Sequence, residues 1–267
     1  MLARFARRSL TPYTMEKWKI AVIATLLISL LGFGMYQQKT EDGPSVTQGT
    51  PAGTPLPSPY DGKVLPTWNF KTWSGQPVSL ESLRGKPVLV EIFRIQCPHC
   101  QDAAPFMDGV QDRYGARGLK VIGIQSPGRF DDTSNPENSW PAVQTWMKRF
   151  GIKYPVAFDQ GSKYFQGTIK DKIFGGNNED MRWPTLLLLD KQGRVSMAHT
   201  GYSTDRPEDM TKILNVAVTL EKTFPGSKST EENAASLVKW LSKYLPGVQG
   251  DEAMTKALTD EVVKRLK

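Results

Sequence analysis

The apolar positions along this chain change period several times, and each change marks an element. The uncharged run IAVIATLLISLLGFGMY, from Ile20 to Tyr36, is 17 residues long. That is the short end of what a helix needs to span a bilayer. Trp18 and Tyr36 flank it, as interfacial aromatics do. From Thr40 to Gly62 the pattern vanishes into Pro, Gly, Thr and Ser, which predicts an extended tether without a core. Residues 65–86 then predict a short hairpin turning at Gly75 and one helical turn over 79–83, stopped by Gly85.

Three continuous apolar runs follow: PVLVEIF (87–93), LKVIGIQ (119–125) and TLLLLD (185–190). Such runs predict strands covered on both faces of a sheet. YPVAFD (154–159) predicts a short strand, and TLLLLD turns through 191–194 into an antiparallel partner, RVSMAHTG. Helical spacing lies between the strands. Ala104, Phe106, Met107, Val110 and Tyr114 stripe one helix, stopped by Gly115. Val143, Trp146, Met147 and Phe150 stripe another, from about Pro141 to Gly151. Residues 126–139 read as a polar loop, and 161–180 show no usable period. The sum is an α/β domain of parallel strands with crossover helices, closed by a hairpin.

Three more helical stripes end the chain: Met210 to Leu220, then Leu237, Trp240, Leu241, Tyr244 and Leu245, then Met254, Leu258, Val262 and Leu266. Ser229 and Glu232 form a candidate capping box before the second stripe. These faces are expected to pack on the parent domain. The alternative is a partner or a second copy, a homodimer gripped through Trp240 and Tyr244. The expected organisation is a stub (1–19), an anchor (20–37), a linker (38–64), the α/β domain (65–224) and a helical extension (225–267).

Charge adds an orientation. The net charge is +7 over 267 residues, but the one tight basic cluster is Arg4, Arg7, Arg8, Lys17 and Lys19. Basic residues before an apolar span keep that end cytoplasmic, so the rest is expected to be exported and tethered to the inner membrane by a single pass. A cleaved signal peptide is the competing reading, although GFGMYQQKT offers no small-x-small cleavage site. No basic run suggests a nucleic-acid footprint.

The candidate chemistry lies in IQCPHCQ, which holds the chain's only two cysteines, Cys97 and Cys100. A zinc clamp needs four ligands, and with His99 and His199 the set is poorly directed. A structural staple is weak, because so short a loop removes little chain entropy. A redox pair has a reason at every position. Cys97 stands where a strand ends and a helix begins, where the helix dipole and free N–H groups favour a thiolate. Pro98 suits the first helical position. Cys100 lies one turn further in, placed to resolve a mixed disulfide. His99 is a candidate to lower the Cys97 pKa, or else a solvated helix residue. Glu91, the one acid inside PVLVEIF, is a candidate proton acceptor for Cys100, or else a strand acid facing solvent. A third reading, a copper(I) chaperone, suits soft thiolates but finds no methionine beside the pair. A scaffold with an idle redox site is a fourth. No cofactor is implied.

LRGKPVLVEIFRIQCPHC, YPVAFD and WPTLLLLDKQGRV together resemble the thioredoxin fold, and within it the membrane-tethered TlpA/ResA/CcmG-like group, over about residues 65–224. The resemblance implies a central mixed sheet flanked by helices, a nucleophile at Cys97, a resolving Cys100 and an acid at Glu91. It implies a cis-proline at Pro184, with Trp183 and Thr185 flanking the substrate groove and Pro98 beside it. It also implies exported proteins with cysteine pairs as substrates and a transmembrane electron donor or acceptor. Three positions depart from the pattern: Gln96 replaces a common Trp, Arg94 stands where small residues are usual, and CPHC is the pair of DsbA-like oxidases. The expected activity is therefore a thiol–disulfide oxidoreductase running as a reductase, with oxidase or isomerase as alternatives. A peroxiredoxin would carry Thr or Ser where Arg94 stands.

Overall fold

The computed structural model describes residues 62–72, 77–127, 135–176, 182–202, 207–245 and 248–267. The expected stub and anchor, nearly all of the linker and the turn at Gly75 lie outside these residues. Among the described residues no helix is long and apolar enough to cross a membrane.

Strands β1 (Asn69–Lys71) and β2 (Pro77–Ser79) pair antiparallel, with Phe70 opposite Val78. Ser79 then caps the helical turn Leu80–Leu83 in a reciprocal box with Ser82. The main sheet holds β3 (Val88–Phe93), β4 (Lys120–Gln125), β5 (Val156–Phe158), β6 (Thr185–Leu189) and β7 (Val195–Thr200) in the order β5-β4-β3-β6-β7. β3, β4 and β5 run parallel, and β6 is antiparallel to both β3 and β7. Helix α1 (Pro98–Tyr114) connects β3 to β4, and α2 (Pro136–Phe150) precedes β5. After β7 come α3 (Pro207–Thr223), α4 (Thr230–Leu241) and α5 (Glu252–Leu266). This is the thioredoxin-fold α/β architecture, a central mixed sheet with flanking helices.

All six residues of β3 are buried, because both faces of the sheet are covered. Strand alternation sorts them into two cores. Leu89 and Phe93 join α1, α2 and the tail helices; Val88, Val90 and Ile92 join the opposite layer. Glu91, at the same parity as Leu89 and Phe93, therefore faces the α1 side.

Two segments differ from the sequence expectation. Helix α2 begins at Pro136, five residues before the expected start at Pro141. Asn135 caps it, its side chain accepting from the Glu137 N–H at 3.0 Å, with Pro136 at the first helical position. The early turn escapes an apolar-period reading because it offers solvent mostly polar side chains. Residues 161–180, read as patternless, contain a π-helical turn, Tyr164–Ile169, running into Lys170–Lys172. Phe165, Ile169, Ile173 and Phe174 from this stretch are buried under the sheet. The glycines and lysines between them hide the spacing, and the wide π turn distorts it.

The tail belongs to the same core as α1. Leu237, Val238, Trp240, Leu241 and Leu245 are buried against it. The rings of Phe106 and Trp240 lie 5.5 Å apart, and those of Phe106 and Tyr244 5.7 Å apart in an edge-on contact. A Cβ on Gly109 would come within 2.1 Å of the Tyr244 hydroxyl, so the helix surface is recessed there to admit the ring. Trp240 and Tyr244 thus pack against their own domain, as the first expectation for these faces had it. Glu221 on α3, 2% exposed, ties that helix to the end of α1. Arg113 and Arg117 each reach it at 3.0 Å, and the Tyr114 hydroxyl donates to it at 2.9 Å.

Glu221→Ala leaves two arginines facing one another without their carboxylate. It is expected to lower stability by about 2–3 kcal/mol, less than a fully buried pair because Arg117 is partly wet. Chemical denaturation measures the loss, and limited proteolysis should show earlier cleavage within residues 225–267.

Candidate active site

The backbone leaving β3 is tied into a turn before α1 starts. The Cys97 N–H donates to the Arg94 carbonyl at 3.2 Å, and the Gln101 side chain donates to the Ile95 carbonyl at 2.9 Å. Cys97 is the N-cap, in extended conformation, and Pro98 takes the first helical position, where an N–H would have no intrahelical partner. The Cys97 carbonyl accepts from the N–H groups of Cys100 and Gln101, both at 3.1 Å. Its sulfur therefore sits at the positive end of a 17-residue helix. Both cysteines are free; Cys97 is half-buried and Cys100 is buried.

Their environments push the two thiols apart. The Cys97 pKa falls to about 6, mainly because the Cys100 side chain hydrogen-bonds to the thiolate. Partial burial opposes the shift, while the backbone N–H groups of Cys100 and His99 and the charge of His99 assist it. The Cys100 thiol is pushed far upward, first by burial and then by its neighbour Cys97. One sulfur is thus a ready nucleophile near neutral pH, and the other is held as a thiol.

Glu91 is completely buried in β3. Burial raises its pKa to about 7, against the hydrogen bond from the Tyr154 hydroxyl, which donates to Oε2 at 2.7 Å. The solvent-facing alternative for this acid is thereby corrected. Its charge contributes to the upward push on the Cys100 thiol. Oε1 of Glu91 has no hydrogen-bond partner among the described residues.

The segment before β6 supplies the neighbouring wall. The Trp183–Pro184 peptide is cis. The Trp183 ring packs on Phe165, centroids 4.4 Å apart, and the Arg94 guanidinium lies over it at 4.4 Å. Arg94 also donates from Nε to the Ser126 carbonyl at 3.2 Å, and its backbone N–H reaches the Cys100 sulfur at 3.5 Å. The Arg94 side chain thus braces Trp183. Thr185 is fully buried, and its hydroxyl donates to the Arg182 carbonyl at 2.8 Å. Pro98 and His99 are exposed beside Cys97. His199 lies in β7, two strands from β3. Among the described residues no group of three or more His, Cys, Asp and Glu side chains gathers as a metal site.

Sequence reasoning missed a set of supporting residues. Asp159 accepts from the Ser126 hydroxyl at 2.8 Å and from the N–H groups of Tyr164 and Phe165, both at 2.9 Å. It thereby places Phe165 beneath Trp183 and fixes the segment whose carbonyl holds Arg94. Burial raises the Asp159 pKa, opposed by those N–H bonds and by Ser126. Tyr154 and Gly123 were also missed. The lone glycine inside LKVIGIQ was the available signal, since glycine within a strand marks a close approach.

The unequal thiols give a direct test. Alkylation of Cys97 by iodoacetamide should rise with pH through a midpoint near 6, set by its lowered thiol. Cys100 should stay unmodified across that range in the folded protein, as read by peptide mass spectrometry.

The family model described as Redoxin matches residues 60–214, more than half of the chain. The thioredoxin-like protein YneN of Bacillus subtilis is 22% identical over 192 residues, covering 72% of this chain and 94% of YneN. The thiol-disulfide oxidoreductase ResA of Bacillus cereus is 25% identical over 174 residues, 65% of this chain and 82% of ResA. Protein DipZ of Mycobacterium bovis is 33% identical over 135 residues, which cover 51% of this chain but only 17% of DipZ. Among solved structures, a thiol:disulfide interchange protein of the thioredoxin family from Chlorobium tepidum shares 28% identity, covering 60% of this chain and 97% of that one, with a TM-score of 0.42. The chain belongs to the redoxin family, as a thioredoxin-like oxidoreductase of the TlpA/ResA/CcmG-like group.

Proposed function

We propose that the protein exchanges disulfides with exported proteins through Cys97 and Cys100, running as a reductase. The observation that carries the exchange chemistry is the unequal pair at the start of α1, a half-buried thiol lowered to about 6 beside a buried thiol pushed upward; the reductase direction rests on the likeness to the TlpA/ResA/CcmG-like group. The Cys97 thiolate attacks one sulfur of a substrate disulfide, forming a mixed disulfide and releasing the other sulfur as a thiolate. Cys100 gives its proton to Glu91 and attacks Cys97, so the second substrate sulfur leaves as a thiolate. Solvent protonates the product thiolates. Two electrons pass to the substrate and Cys97–Cys100 becomes the disulfide, which a transmembrane electron donor then reduces. In this reading the Trp183 backbone before cis-Pro184 aligns the substrate chain, Pro98 and His99 border the contact, and Trp183 narrows it.

The same reading puts the catalytic domain on the periplasmic side. Residues 20–37 serve as the inner-membrane anchor, with the basic stub 1–19 in the cytoplasm and 38–64 as the tether. The uncharged run and the basic cluster ahead of it support this orientation. The low Cys97 pKa favours a second reading, a thiol oxidase, because a stabilised thiolate favours the reduced form and makes the disulfide a better oxidant.

Cys100→Ala should accumulate mixed disulfides between Cys97 and its substrates, visible as thiol-sensitive adducts, and Cys97→Ala/Cys100→Ala should show none. Absence of adducts from Cys100→Ala would sink the exchange reading. In the wild type, a pair that is mostly reduced in the cell supports the reductase, and a mostly oxidised pair supports the oxidase.

A further inference from the structure

The hydrogen bond between Tyr154 and Glu91 crosses the sheet in an unusual way. Tyr154 stands just before β5, two strands from β3, and β4 lies between them. The residue of β4 directly opposite Glu91 is Gly123. A Cβ at that glycine would lie 3.1 Å from the Tyr154 ring and 3.0 Å from the Phe93 ring. Any larger side chain there would displace the ring that passes over it. On the other flank Leu186 stands opposite Glu91, and His199 of β7 stands opposite Leu186 in the same register. The titratable groups around this site are Cys100 and Asp108 from α1, Tyr154 itself and, beyond Leu186, His199 of β7. The phenol is the side-chain donor that reaches Glu91 among the described residues.

A buried carboxylate with one anchored oxygen has one oxygen left for chemistry. Oε2 takes the Tyr154 hydrogen bond, and Oε1 has no partner among the described residues. We propose that Tyr154 is a positioning residue for proton transfer in the resolving step: its hydroxyl anchors Oε2 of Glu91, leaves Oε1 as the proton acceptor for Cys100, and reaches the acid through the gap kept open by Gly123. The inference rests on the exchange reaction proposed above. The proton leaves the Cys100 sulfur for Oε1, the Cys100–Cys97 bond forms, and the bond between Cys97 and the substrate sulfur breaks. Tyr154 keeps its own proton throughout. Because the phenol stabilises the charged carboxylate, its loss makes Glu91 harder to ionise.

The test measures the resolving step alone. A mixed disulfide is prepared between Cys97 and a small aromatic thiol, and release of that thiol is followed across pH. The wild type should show a rise governed by Glu91, and Glu91→Gln should remove that rise. Tyr154→Phe should move it upward by about one pH unit, the size expected for losing one hydrogen bond to a charged group. The alkylation profile of Cys97 should not move, a separation that a general loss of structure would not give. Replacing Tyr154 with 3-fluorotyrosine, a more acidic donor of nearly the same shape, should move the rise downward and serves if the phenylalanine variant does not fold. An unchanged profile in both variants, while Glu91→Gln alters it, overturns the role of Tyr154. A wild type that releases no thiol at any pH overturns the exchange reading instead.

Discussion

Everything at this site depends on where the first turn of α1 meets the end of β3. The turn holds Cys97 at the helix's positive end and swings Cys100 under it, into the side of the sheet that also carries Glu91. A one-residue slip in β3 would move Glu91 to the opposite core, because strand side chains alternate between faces. The register of the central strand therefore decides whether the buried acid and the buried thiol share a face. Leu89 and Phe93 hold that register by packing with α1, and Val88, Val90 and Ile92 hold it from the other layer.

Around this joint the structure divides its support in two. Below the sheet, Asp159 orders the π-helical turn and so places Phe165 under Trp183, whose other contact is Arg94. The position before cis-Pro184 is thus shaped by residues from two other stretches of chain. On the far end of α1, Glu221 gathers Arg113, Arg117 and Tyr114, and the tail aromatics fill in around Phe106. The helix that carries the sulfurs is fastened at both ends.

The strands and the crossover helices were legible because their apolar residues repeat at strand or helix period. Cys97, Pro98 and Cys100 were legible because residue types and spacing alone restrict where such a pair can sit. The start of α2 was not, since a cap made by Asn135 leaves no apolar trace. The π-helical turn was not, since its buried residues are separated by glycines and lysines and its pitch departs from 3.6. Arg94 and Thr185 show the deeper limit. Their positions beside the motif were plain, but whether a side chain faces solvent or a neighbouring ring depends on residues far away in sequence. Tyr154 is the sharpest case: it lies 63 residues from the acid it binds.

The recess at Gly109 ties two distant stretches of chain to a common history. Glycine in the middle of a helix is less favourable than alanine by about 1 kcal/mol, and here the Tyr244 ring supplies its reason. A descendant that shed the tail would be free to replace the glycine and would gain by doing so. One that kept the tail but enlarged residue 109 would have to give up the aromatic ring. Residues 109 and 244 are thus expected to vary together wherever both are present.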